Sequence, residues 1–167
     1  VEQYKYDALG RRIIAADGAE AVRFYHSGAQ IIEEANGANA VQRVYVWGAT
    51  YIDELILMED VAGVGGVANA DYFALRHHNF NVVALVGDTG TVAERYDYNP
   101  YGGRIVLNAD FSDDADGASD YANHIGHQGL RHDAATGLIC NRARMLHVTL
   151  SRFMQRDPLG YVDGMGL

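Results

Sequence analysis

The sequence predicts a mainly β protein, built of short antiparallel hairpins laid edge to edge. Nineteen glycines and eleven tyrosines stand against two prolines and one tryptophan in 167 residues, the balance of a chain of short strands and tight turns rather than a helical bundle. Tyrosines, aliphatics and short polar residues alternate with period two in several runs that close on a glycine. A unit of aromatic residues, glycine turn and aliphatic strand recurs, anchored on Tyr6, Tyr25, Tyr45, Tyr72 and Tyr98 at spacings of 19 to 27 residues.

Each element follows from the same signals. At 4–14, Tyr4-Lys5-Tyr6 leads through Asp7 and Gly10 into Arg11-Arg12-Ile13-Ile14, a first hairpin. Residues 24–34 repeat the plan, turning at Gly28 into Ile31-Ile32-Glu33-Glu34, and 43–48 alternate until Gly48. A strand at 51–58 precedes the Gly- and Ala-rich stretch 61–70, read as a flexible link. Strands at 72–78 and 82–86 meet a turn at Asp88-Thr89-Gly90, and 91–95 return into residues 96–103, Tyr-Asp-Tyr-Asn-Pro-Tyr-Gly-Gly. That run has one aromatic face and ends in a sharp turn. Residues 1–107 are therefore read as the hairpin array. Residues 108–123, with Asp110, Asp113, Asp114, Asp116 and Asp120, read as an exposed acidic insertion, and 124–167 as a distinct C-terminal segment. Within it, 138–146 could be helical by propensity, but Gly137 precedes it without an N-cap and acidic first turn, so a strand is expected.

A net charge of −9 and a pI near 5.1 oppose binding to phosphate backbones or anionic lipid. Neither a nucleic-acid partner nor membrane insertion by this segment is expected. Cys140 is the single cysteine, so no intrachain disulfide forms. Val1-Glu2-Gln3 is neither an initiator methionine nor a signal peptide, and the pattern is already under way there; a fragment of a longer chain is expected.

Together these motifs resemble the Rhs or YD-repeat family, which includes bacterial Rhs toxins, the C subunits of Tc toxin complexes and the animal teneurins. Tyr6-Asp7-Ala8-Leu9-Gly10-Arg11-Arg12 looks like the repeat itself. The ordered set Tyr72 with Val82-Val83-Ala84-Leu85, Gly90-Thr91-Val92, 96–102, Gly129, Asp133, Thr136-Gly137-Leu138, Arg142-Ala143-Arg144, and Arg152-Phe153 with Asp157-Pro158-Leu159-Gly160 resembles the Rhs-associated core that closes the repeat array. The resemblance implies a spirally wound sheet forming the end of a hollow shell, with residues 124–167 as core and plug. It implies a secreted or cell-surface setting, with the rest of the shell and an enclosed C-terminal effector or toxin polypeptide as partners, and no cofactor. A strip of hairpins with one apolar face fits this, because it must stack on neighbours to bury that face. The chain departs from the family at His77 and Phe80, where an Asp and a Gly are usual, so a differently built turn is expected there. It departs again at Met145-Leu146-His147 and in lacking a second Asp-Pro unit.

Many family members release their cargo by self-cleavage resembling aspartyl protease chemistry, in which two carboxylates share a proton. The resemblance assigns the first aspartate to Asp157 and the supporting arginine to Arg144. Asp163 is the nearest candidate for the second, but it lies six residues on and lacks the proline, so truncation before the true site is the preferred reading. Within the segment alone, an ordinary turn at Asp157 and an ordinary ion pair at Arg144 are expected. Ser112, Asp114 and Asp116 before Gly117 alternate in the manner of a Ca²⁺ loop, against a solvated loop as the plain alternative. His124, His127, His132 and Cys140 are metal-ligand types, but no second cysteine completes a tetrahedral set, so partly buried histidines and an inert thiol are expected. Trp47 and the tyrosines could stack on sugars in an adhesion module; at period two they are expected to be core.

Overall fold

The computed structural model describes residues 2–18, 20–158 and 160, and nearly all of its regular structure is antiparallel strand. Ten strands form one sheet in unbroken chain order: β1 (Glu2–Tyr6), β2 (Arg12–Asp17), β3 (Glu20–Ser27), β4 (Gln30–Asn36), β5 (Val41–Trp47), β6 (Leu55–Asp60), β7 (Ala70–Arg76), β8 (Val82–Gly87), β9 (Val92–Tyr98) and β10 (Arg104–Asn108). A second meander holds β11 (Arg131–Asp133), β12 (Leu138–Asn141), β13 (Arg144–His147) and β14 (Arg152–Phe153). Among the described residues a single 3-10 turn, His127–Gly129, lies between the sheets in sequence. The mainly β expectation is met, and the stretch 138–146 is a hairpin that turns at Arg142 and Ala143 rather than one strand.

One turn geometry is reused along the large sheet. The first residue donates its N–H to the carbonyl four residues on and accepts from the N–H three residues on; this occurs from Asp7, Asn36, His77, Gly87, Asn99 and Asn108. It is the three-residue hairpin loop whose fourth position is left-handed. Glycine takes that position at Gly10, Gly90 and Gly102, with φ of 76°, 81° and 86°. At Asp7, Asn36 and Asn99 the side-chain oxygen also accepts two backbone N–H bonds of 2.9–3.0 Å, which fixes the loop from inside. At 77–81 the backbone turn is the same: His77 Nδ1 accepts the Asn79 N–H at 3.0 Å, and Phe80 adopts φ 59°. Only the side chains differ there, since an imidazole nitrogen can accept where a carboxylate would.

One face of the large sheet is buried. Cross-strand rows run Phe24, Glu34, Arg43, Asp60 and then Tyr45, Met58, Tyr72, and all seven are buried. Tyr6 and Tyr25 instead point to the exposed face, at 54% and 40% accessibility, so the tyrosine anchors do not form one continuous stripe. Bulges between Lys5 and Tyr6, and between Tyr25 and His26, shift the in-and-out alternation along the array. The Gly- and Ala-rich link is tied down: fully buried Asp60 accepts the N–H groups of Gly63 and Gly65 at 3.0 and 2.7 Å. Among the described residues no helix is long and apolar enough to cross a membrane.

Candidate functional site

After β10 the chain turns back over the buried face, and the segment 121–133 is where sheet and C-terminal meander meet. Ile125 packs into the apolar cluster of Tyr45, Leu55, Met58, Tyr72, Val82, Leu85, Tyr96 and Val106. Polar contacts fix its register. Val82 N–H donates to the Gly126 carbonyl at 3.1 Å, Gln128 N–H to Asn81 Oδ1 at 2.7 Å, and Arg104 to the Asn123 carbonyl at 2.8 Å. Asn123, fully buried, accepts the Ile125 N–H and donates to its carbonyl, so its side-chain amide enters the seam with both ends partnered.

Around this seam lies a buried charged network that sequence reasoning missed. Arg12 of β2 bonds Asp133 of β11, Arg131 sits 3.8 Å from the same carboxylate and stacks 4.5 Å above the Phe24 ring, and Arg43 bonds Glu34 at 3.1 Å. Burial opposes ionisation of Glu34, but His124, Arg131 and Arg43 hold its carboxyl below the ordinary value. Asp133 is likewise held low against its burial, chiefly by Arg12. On the histidines burial is the largest cause and neighbouring positive groups add to it: His124 is driven down to about 4, with Arg131, Arg43 and Arg104 around it, His132 to about 3 beside Arg104, and His127 is lowered facing His77. The only signal for this network in sequence was apolar strands carrying isolated charges.

The meander is clamped by arginines. Arg142 at the β12–β13 turn reaches both oxygens of Asp53 in the β5–β6 loop, at 2.8 and 2.7 Å. Burial raises Asp53 above its ordinary value even though the Arg142 bonds work the other way. Arg144 and Asp157, singled out from the resemblance, do come together: Nη1 to Oδ2 is 3.1 Å, and the Arg144 guanidinium stacks 3.7 Å above Phe153. Arg144 and Pro158 border a cleft of 840 Å³ between meander and sheet, lined also by Phe24, Trp47, Leu130 and Cys140. Asp53 lines that cleft too but is committed to Arg142. Asp163 lies outside the described residues.

The acidic insertion uses its side chains on its own backbone. Asp114 Oδ1 accepts from Asp116 and Gly117, Asp116 Oδ1 accepts from Ala118, and Ser112 Oγ donates to Asp110 rather than facing Asp114. Among the described residues no three His, Cys, Asp or Glu side chains converge as a metal site. Trp47 donates its indole N–H to the Ile31 carbonyl at 2.7 Å and packs against the core.

No protein-family model matches the chain, and no curated protein matches it. Solved structures do. A crystal structure of TcdB2-TccC3-Cdc42 superposes with a TM-score of 0.69 at 18% identity, and one of TcdB2-TccC3 with 0.66 at 17%. A Photorhabdus luminescens Tc holotoxin pore with a substituted TccC3 gives 0.66 at 18%. Each match covers 98% of this chain but only 8% of the other, so the chain spans a small part of the length of the proteins it matches. At this identity the likeness shows the fold: the chain has a distant Rhs-like strand architecture of the kind found in those toxin assemblies.

Proposed function

We propose that this chain is a wall segment of a YD-repeat-type shell, whose 121–133 segment and C-terminal meander line the inside and which encloses a C-terminal polypeptide. The observation that carries this reading is the pairing of β1 to β10 in strict chain order, with one face covered by the chain's own return. Among the described residues the sheet ends at β1 and at β10, the latter carrying only an isolated bridge from Leu107 to Asp113, and it continues only by adding strands at those ends. Likeness to Tc toxin structures over nearly the whole chain supports the same reading. Electron microscopy of the intact native polypeptide should show hollow particles, and any sequence following residue 167 should resist added protease until the shell is opened. Solid or extended particles, or immediate digestion of that sequence, reject enclosure.

A second reading rests on the 3.1 Å contact between Arg144 and Asp157. In it Asp157 is one carboxylate of a self-cleavage site, Arg144 orients it through the ion pair, and the second carboxylate comes from residues beyond those described. Asp157→Asn in the intact polypeptide should abolish processing on a denaturing gel; unchanged fragment sizes remove this reading and leave the shell reading standing.

A further inference from the structure

We propose that His124, His127 and His132 form a proton-operated latch: while neutral they hold the 121–133 segment on the buried face of the sheet, and when they become charged the segment lets go. The inference concerns the docking of this segment and stands whether or not the array encloses anything.

The geometry carries it. His132 Nε2 accepts the backbone N–H of His127 at 3.0 Å, which requires that nitrogen to be unprotonated. His132 N–H in turn donates to the His124 carbonyl at 2.7 Å, so the three residues form one connected turn. The surroundings are hostile to further positive charge. Around His124 stand Arg43 of β5, Arg104 of β10 and Arg131 of β11, against the single carboxylate Glu34 of β4, which already bonds Arg43. His132 faces Arg104, His124 and His127, and the Tyr98 ring of β9 lies 6.2 Å away. His127 faces His77 from the β7–β8 turn and the Tyr98 ring at 6.0 Å, and its buried Nδ1 has no hydrogen-bond partner to receive a new proton's charge. Asp133, the nearest other carboxylate in sequence, is held by Arg12.

The direction with pH follows. In the detached segment each histidine takes up a proton near 6.5, the ordinary value; docked, burial and the arginines keep His124 and His132 neutral to about 4 and about 3. Docking is therefore at full strength above 6.5 and is lost as pH falls from there towards 4. Glu34 and Asp133, both held below the ordinary carboxylate value, begin to lose their contribution only as pH enters the ordinary carboxylate range at about 4, so a reading at pH 5 reports chiefly the histidines.

Hydrogen–deuterium exchange of the intact polypeptide, corrected for intrinsic rates, tests the latch. Amides of 121–133 should open about 30-fold more readily at pH 5 than above pH 7 for each fully excluded histidine charge, while amides of the β3–β4 hairpin stay protected. Equal protection of 121–133 at pH 7.5 and pH 5 overturns the proposal outright, with no variant needed. In His132→Gln the amide oxygen can still accept the His127 N–H without titrating, so the pH slope should fall; a folded variant with the native slope also overturns it. His147→Gln, in β13 and away from the seam, should leave the slope unchanged, and loss of slope there would count equally against the latch.

Discussion

Arg12 and Asp133 show what a charged pair means at a buried seam. Both side chains are below a tenth exposed and lie 121 residues apart in sequence, on different sheets. Removing Arg12 leaves the Asp133 carboxylate buried with only the more distant Arg131 at 3.8 Å as a cationic partner among the described residues, and breaking a buried pair in this way costs up to about 3–5 kcal/mol. Arg12→Met should therefore lower the unfolding free energy read from urea titration towards that amount, and adding Asp133→Leu should recover much of the loss; equal stabilities for the single and double variants would argue against a coupled pair. Acid should weaken the same contact. Asp133 is held below its ordinary value, so its contribution is full above the unfolded carboxylate range and is lost as pH falls through it. None of this was legible in the sequence, where Arg12 is simply the second basic residue of a repeat unit. The pairing of Arg144 with Asp157 was legible, but only through the resemblance, because 13 residues of irregular spacing carry no geometry.

Turns and close approaches decide which elements can meet. Gly129 has φ 68° and sits against the β5–β6 loop, where an added Cβ would overlap the Asp53 carbonyl oxygen. Gly102, at φ 86°, would place a Cβ 2.6 Å from the His127 ring. Gly129→Ala and Gly102→Ala should each destabilise by more than about 1 kcal/mol, since both the backbone conformation and the space are wrong for a side chain. Gly90→Ala tests strain alone, because nothing lies within 4 Å of its Cβ; thermal melts should rank it milder than the other two. The turns themselves were readable from Asp7, Asn99 and their glycines. The turn at His77 was expected to differ, yet it has the same backbone as the other loops, because closure is made by the main chain of the first residue, as at Gly87, and needs only positive φ at the fourth, which Phe80 adopts. Parity was not readable: a bulge adds one residue without leaving a mark in composition, and it exchanges the faces of everything beyond it.

Across the whole molecule, the buried face of the ten-stranded sheet is finished by the chain's own return, with Ile125 and Asn123 sealed against it. A chain stopped at residue 120 should expose Tyr45, Leu55, Met58 and Val82 and aggregate on size exclusion; a monomeric, cooperatively folding product would show that the sheet needs no cover. The sequence by itself determined the local grammar: strands of period two, tight turns where Asx and glycine stand three apart, and a net negative charge. Those are properties of neighbouring residues, and neighbouring residues suffice to specify them. Only the tertiary structure decided which face is inside, that Arg142 reaches Asp53 and Arg12 reaches Asp133, and that burial disfavours the charged form of three histidines. Burial and long-range pairing are set by where the returning chain lands, and no spacing along the sequence encodes that distance.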